Sequence, residues 1–279
     1  MCNYTVGTNS YIDDSSEIGS GTVIRNNVII ENNVKLGKDV YVDNNAVIKS
    51  GTVLGDGCRI GTGCLLNESP FIVDAGKKLQ IGNSAIIRSG TVIYGNSRIG
   101  DYFQTGHNVT IRENTHMGDN VSVGTYSDVQ GYCEIGDYVR MHSNVHVGQK
   151  TIIEGFNWIY PFVCFTNDPT PPSEVCVGAR ICKYAVVATG SVVLPGVIVS
   201  EDSLIAAGAI VNKDVDKYCI VAGNPAKVIG DVRNIKNRET GLSNYPWRYY
   251  FDRNMPWESV GFEEWEKSNR RCMNTGDND

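Results

Sequence analysis

The sequence predicts an all-β solenoid, a chain wound into a three-sided coil of short parallel strands. From Ile12 to Leu66 every sixth residue is aliphatic, ten positions out of ten. Two residues ahead of each stands a small or β-branched one: Ser10, Ser16, Thr22, Val28, Val34, Val40, Ala46, Thr52, Cys58 and Cys64. A period of six matches neither the 3.6 of a helix nor the 2 of an open strand. It fits a chain that turns a corner every six residues, three corners to a coil, with the sixth-place aliphatic inside. Stacked repeats of this kind form one elongated unit rather than several domains.

The ladder changes phase twice. Leu66 to Ile81 is fifteen residues, not a multiple of six, so a loop or bulge is expected within residues 67–80. From Ile81 to Ile159 thirteen of fourteen positions are aliphatic, the exception being Thr105. A polar residue at an inward place is either satisfied internally or belongs to a site, and it stands two residues before His107. Residues 160–173, YPFVCFTNDPTPPS, read as a proline-rich loop leaving the coil wall. A third block runs from Val175 to Val211, which brings the total to about ten coils. Glycine often follows the sixth-place residue, as at Gly100, Gly106, Gly118 and Gly124, and is expected to supply the backbone conformation of the turn. Residues 1–222 therefore form the solenoid and 223–279 an extension. That extension carries Trp247, Tyr249, Tyr250, Phe251, Trp257 and Trp265, too much aromatic surface to leave in water. It is expected to pack on the coil or on a neighbouring subunit, with a short helix over 257–267 and a disordered end at 273–279.

Composition narrows the function classes. A formal net charge of -6 argues against sequence-independent nucleic-acid binding, which needs a basic stripe. The chain has no apolar run of membrane-spanning length, and its first ten residues do not read as a signal peptide. A cytoplasmic protein without a membrane partner is expected. The nine cysteines are odd in number and contain no CxxC pair, so they read as reduced core rather than a disulfide or zinc framework.

The hexad pattern over Ile12–Val211 resembles the left-handed parallel β-helix of the hexapeptide-repeat acyltransferases. The segment Ala222–Ile229, AGNPAKVI, is similar to the exit signature of members that use acetyl-CoA. Phe165-Thr166-Asn167-Asp168-Pro169 resembles a loop of N-acetyltransferases acting on nucleotide-linked amino sugars, and TGHNVTIRE resembles those acting on 3-amino-3,6-dideoxyhexoses. The resemblance implies acetyl-CoA as donor, the amine of a nucleotide-linked sugar (dTDP type) as acceptor, and a homotrimer with its site between neighbouring coils. It places His107 as general base, followed by Asn108 where an acidic residue is usual. An amide can orient an imidazole but does not stabilise an imidazolium as a carboxylate does. It further implies Ala188, Ala206 and Gly208 along the pantetheine arm, and Lys227, with Lys213 weaker, at a CoA phosphate.

The chemistry suits these residue types. A sugar amine must lose a proton as it attacks a thioester, and a histidine with a pKa near 6.5 can take it. Charge on the thioester oxygen needs a donor, most simply a backbone N–H at a coil corner. His116 and Glu134 are eighteen apart and should stack, as an ion pair or as an amine contact. Asn167 and Asp168 either cap a turn or contact the sugar. His142 and His146 fall on different faces, with His107 two coils from His142's column, so no metal site is expected. Rival readings are an O-acetyltransferase acting on a polysaccharide or small acceptor, a zinc carbonic anhydrase-like β-helix, and a non-catalytic trimeric spacer.

Overall fold

The computed structural model describes residues 3–70 and 78–274. Strands of two to four residues alternate with corners and stack into three parallel sheets, the walls of a triangular prism. The first face runs from Thr5–Val6 to Leu204–Ile205 and is closed by Cys219–Ala222 and Lys227–Asp231. The second runs from Tyr11–Ile12 to Ile210–Val211, the third from Glu17–Ile18 to Ile198–Val199. Partners on neighbouring coils are usually eighteen residues apart, as in Thr110↔Asp128↔His146, at the parallel-strand spacing of about 4.8 Å. The exit is different: Cys219–Ala222 joins the first face in parallel and Lys227–Asp231 folds back on it antiparallel. Among the described residues no helix is long and apolar enough to cross a membrane.

The inward ladder is the core. Ile24, Ile30, Val42, Ile60, Ile87, Ile111, Val147 and Ile205 are all fully buried, and so are the small positions Cys58, Cys64 and Cys133, whose thiols burial pushes up, that of Cys133 to about 11. Twelve parallel rungs stand on the first face among the described residues, about two coils more than expected. Strands at Val6, Phe165 and Val221 extend a ladder that the hexad count had begun at Ile12 and interrupted at Ile159. The first irregularity is a register shift between Leu66 and Glu68; the rest of that expected loop lies partly outside the described residues. The second loop is displaced toward the C-terminus by about six residues. Residues 160–165 continue the wall, with Val163 and Phe165 fully buried, so the excursion begins only at Thr166. Val175 is correspondingly not a ladder position: it is 51% exposed, and the core resumes at Ala179 and Ile181.

The corners revise the role of glycine. The left-handed residue of each turn is the third after the inward one, as at Asn96, Asn108, Asn114 and Asn120, or a glycine such as Gly90. The glycine directly after the inward residue is needed for close approach instead. A Cβ on Gly106 would stand 2.2 Å from the Thr125 nitrogen, and one on Gly124 2.4 Å from the His142 carbonyl carbon.

The extension folds back on the corner between the third and first faces. Tyr138, Phe156 and Tyr184 occupy successive coils there, their rings stacked at 5.2 and 5.3 Å. Trp247, Met255, Trp257 and Phe262 close over them, Trp257 being 1% exposed. Arg248, also buried, pairs with the carboxylate of Asp202. The helix Phe262–Asn274 follows the expected one but starts five residues later and continues through 273–274. Residues 275–279 of the expected disordered end lie outside the described residues.

Candidate functional site

The candidate site is a groove that crosses the first face at mid-height. Its floor is one outward row and one corner column. Gln104, Ser122, Arg140 and Trp158 pair in register on successive strands and point outward from the first face. One corner on, Gly106, Gly124, His142 and Tyr160 stack in a single column through backbone bonds of 2.7–2.9 Å. The two glycines leave a bare strip beneath the His142 ring, and Arg88, one coil below, closes its lower end. His107 and Thr125 form its side, with the His107 N–H donating to Thr125 Oγ1 at 3.1 Å. The resulting cavity, about 470 Å³, contains both imidazoles together with Arg88, Arg140 and Trp158. Thr105 lies beneath as the inward exception. Its Oγ1 accepts the Arg88 amide N–H at 2.9 Å and sits 3.2 Å from the Thr91 hydroxyl, so it is satisfied inside the coil.

The two imidazoles are held differently. His142 stacks on Tyr160 with ring centroids 4.8 Å apart and planes 12° from parallel. Partial burial lowers its pKa, so it is neutral at pH 7. The His107 ring is exposed, with its backbone fixed by the corner. Arg140 is partly buried and its guanidinium has no carboxylate partner among the described residues. It donates to the Asn120 and Asn254 carbonyl oxygens instead, the latter at 3.4 Å. Desolvation lowers its pKa accordingly.

The groove continues both ways. Toward the third face, Tyr102, Asn120, Tyr138 and Asn254 surround a second cavity of about 500 Å³ that shares Gln104, Ser122 and Arg140 with the first. Toward the exit it meets an aromatic recess of about 400 Å³ between Trp158, Tyr160 and the extension's Tyr245, Trp247 and Phe251. Burial pushes the Tyr245 hydroxyl up to about 12. Above Tyr160 the corner column loses its side chains. Ala188 donates its N–H to the Ile205 carbonyl at 2.9 Å and Ala206 to that of Val221 at 2.8 Å, leaving a smooth strip toward the exit hairpin. Gly208 lies exposed beside it with open space at its Cα, and Lys227 starts the last strand, also exposed.

Other expected site residues are dispersed over the prism. Asn108 is the left-handed corner residue after His107, and its Oδ1 occupies the space a Cβ on Gly90 would need, 2.2 Å away. Its amide thus meets the coil below rather than the imidazole. His116 and Glu134 do stack, Nδ1 to Oε1 at 3.0 Å, on the exposed third face. Asn167 and Asp168 leave from the corner between the second and third faces. Asp168 organises its own loop, accepting from Thr170 N at 3.0 Å, Ser173 N at 2.9 Å and Ser173 Oγ at 2.6 Å, and the Ser173 hydroxyl in particular holds its carboxyl below the usual range. Asn167 donates to Cys176 Sγ at 3.6 Å. One chain therefore does not bring these four residues to His107.

Sequence reasoning also passed over two groups. Arg140 and Trp158 carry no motif, and only their place in the Gln104 row marks them. The second face holds a further pair: His146 Nδ1 is 3.0 Å from Asp128 Oδ2, and that hydrogen bond raises the histidine's pKa. For Asp128, burial works upward, but hydrogen bonds from His146 and Gln130 outweigh it and the carboxyl is held low. No cluster of three or more histidine, cysteine, aspartate or glutamate side chains with metal-binding geometry occurs among the described residues.

The repeat has a known counterpart. Residues 33–68 match the family model "Bacterial transferase hexapeptide (six repeats)". That segment carries the family's hexapeptide repeat. The chain is 39% identical over 56 residues to the Saccharomyces cerevisiae protein named "Putative acetyltransferase YJL218W", and 44% identical over 48 residues to a like-named Staphylococcus aureus (strain COL) protein. These matches cover 20% and 17% of this chain and 27% and 24% of the relatives, so the chain spans about a quarter of the length of the curated relatives it matches. Among solved structures, LpxA from Acinetobacter baumannii aligns with 80% of this chain and 72% of its own at 18% identity and a TM-score of 0.45. A serine acetyltransferase in complex with cysteine aligns over 44% and 41% at 17% identity and a TM-score of 0.32.

Proposed function

We propose that the hexapeptide-repeat chain is an acetyl-CoA-dependent N-acetyltransferase acting on the amine of a nucleotide-linked amino-deoxy sugar, and that it works in the cytoplasm as a homotrimer. The observation that carries it is the pair of imidazoles in one groove that opens on a side-chain-poor strip. The names of the short relatives point to the same reaction class. In this reading the donor lies along Ala188, Ala206 and Gly208 with a phosphate near Lys227, and its thioester reaches the bare floor at Gly106 and Gly124. The acceptor amine attacks the thioester carbon, His107 takes the proton, and CoA leaves as the thiolate, which that proton then neutralises. The Gly106 and Gly124 N–H groups are committed to the Val123 and Met141 carbonyls of the next coil, so in this reading charge on the thioester oxygen falls to other corner donors, among them the Thr125 and Ser143 hydroxyls. His116, Glu134, Asn167 and Asp168 reach the acceptor only from a neighbouring subunit.

A second assignment of the base has its own support. His142 is neutral, oriented by Tyr160, and stands in the same column as the alanine strip, whereas His107 has no stacking partner among the described residues. On this variant His142 removes the proton and His107 contacts the sugar. Thiol release from acetyl-CoA with an amino-sugar nucleotide, measured for His107→Ala and His142→Ala, decides between them. His107→Ala is expected to lower turnover at neutral pH at least tenfold, a lower bound on the roughly 10²- to 10⁴-fold typical of proton transfer. Wild-type turnover in His107→Ala with loss in His142→Ala would move the base to His142. An unchanged rate in both would remove the imidazoles from the chemistry, and release only with the hydroxy analogue would favour O-acetylation.

A further inference from the structure

Arg140 stands out among the partly buried cations. Arg112 is paired with Glu113, Lys49 with Glu68, and the more deeply buried Arg248 with Asp202. Arg140 is partly buried, yet among the described residues it donates only to two carbonyl oxygens and otherwise lies 5.9 Å from the Tyr138 ring centroid. A guanidinium has five N–H donors in a planar fork, so three remain. A cation withdrawn from water without a counter-charge is costly, and a doubly hydrogen-bonded anion recovers most of that cost. The free edge faces the two cavities that share it, with the uncharged Ser122 and Gln104 on the next two strands down, at about 4.8 Å per step.

The order of chemistry across the groove is equally specific. At one end is the cavity bordered by the Tyr102 and Tyr138 rings and the amides of Asn120 and Asn254; in the middle is Arg140; at the other end are His107 and His142. A nucleoside diphosphate sugar has the same sequence of parts: an aromatic base with its ribose, two phosphates, then the hexose. We propose that the Gln104–Ser122–Arg140 row binds the diphosphate of the acyl acceptor, with the nucleoside in the Tyr102–Tyr138 cavity and the amino sugar toward the imidazoles. The inference rests on the acceptor class proposed above and adds its subsite and direction. Arginine suits the task because its fork engages two phosphate oxygens at once.

Titration calorimetry tests it with thymidine and uridine diphosphates as probes, with no sugar and no turnover, and with CoA in a separate arm. At least one nucleoside diphosphate is expected to bind the wild-type protein and to bind Arg140→Met at least tenfold more weakly. Because Arg140 also holds the Asn254 carbonyl, tryptophan fluorescence must show the extension still docked. Ser122→Asp gives a second route: its carboxylate neutralises Arg140 in place and should weaken the same probe at least tenfold without loosening the extension. Absence of nucleoside diphosphate binding to the wild type, or full binding in either variant, overturns the inference. Loss of CoA binding in Arg140→Met, with nucleoside diphosphate binding unchanged, overturns it too and gives the arginine to the donor. Absence of CoA binding to the wild type would instead defeat the acetyltransferase reading itself, whatever the nucleotide arm shows.

Discussion

Removing Arg248 should undock the C-terminal extension in a manner that depends on pH. Its guanidinium is 7% exposed, the Asp202 side chain is 0% exposed, and the two are hydrogen-bonded. The arginine also lies 4.4 Å from the Tyr184 ring centroid and 5.0 Å from that of Phe262. Arg248→Met keeps most of the apolar stem but leaves a fully buried carboxylate with no counter-ion. Breaking such a pair typically costs about 3–5 kcal/mol. The carboxylate limits the loss by taking a proton, since burial already pushes Asp202 upward despite the arginine. Protonating at pH 7 a group that ionises near 3.9 in the undocked chain costs about 4 kcal/mol, at about 1.4 kcal/mol per pH unit. The sign follows: the docked state then binds one more proton than the undocked one, so its stability falls as pH rises above about 4. The defect should shrink by roughly 2–3 kcal/mol between pH 7 and pH 5, and adding Asp202→Asn should abolish that dependence. All four tryptophans lie in or against this cluster, so urea titration followed by their fluorescence reads the extension, while far-ultraviolet dichroism reads the coil. Equal docking of wild type and Arg248→Met at pH 7, or a pH-independent loss, would refute the reasoning.

Three further outcomes are expected. Thr105→Val removes the acceptor of the Arg88 N–H inside the coil and should destabilise the protein by about 1–3 kcal/mol in chemical denaturation, the cost of an unsatisfied buried donor. Asp168→Ala removes three hydrogen bonds that shape the loop after Phe165 and should speed proteolytic cleavage there while leaving the melting of the coil unchanged, because the wall resumes independently at Ala179. The His146–Asp128 pair contributes stability through a raised histidine and a lowered aspartate. Its contribution is therefore present between the ordinary aspartate and histidine ranges, and is lost as pH rises through the folded histidine pKa or falls through the folded aspartate pKa. With the side chains 41% and 34% exposed, solvent screening keeps it below about 1 kcal/mol, so Asp128→Asn should shift the melting temperature at pH 5.5 slightly and at pH 8 hardly at all.

What the sequence made legible follows from how the coil is built. One inward residue per six and one neighbour at eighteen are translational rules, so Ile111, Val129 and Val147 could be placed inside and His116 beneath Glu134 from spacing alone. Departures from that rule were harder to see. The corner glycines read as turn formers, whereas Gly106 and Gly124 are required by the approach of the next coil and the turn itself falls on Asn108 and its equivalents. The ladder Tyr138, Phe156, Tyr184 has spacings of eighteen and twenty-eight, the second including the loop after Thr166, and so gave no periodic signal of the surface on which the extension docks. From spacing alone His142 reads only as a candidate metal ligand. Its relation to His107, thirty-five residues or two coils less one, places it in the adjoining column and within the same cavity.

The dispersal of the remaining expected contacts constrains how the chain could use them. His107 stands on the corner between the first and second faces, Asn167 and Asp168 on the next corner, and His116 with Glu134 on the third face. A rigid three-sided prism cannot fold these together, because each coil is locked to its neighbours by backbone bonds of 2.7–3.4 Å. They can meet only if the corner between the second and third faces of one subunit lies against the first-face corner of another. Such a contact joins different surfaces of identical chains, and it closes without leftover edges when three copies are related by a threefold axis. For the homotrimer proposed above, sedimentation equilibrium should give a mass near three times the 30.6 kDa chain, and Asp168→Ala should raise the apparent KM for the acceptor without changing that for acetyl-CoA. A monomer with full activity would instead confine the reaction to His107, His142 and Arg140, and would leave Asp168 with no task beyond shaping its own loop.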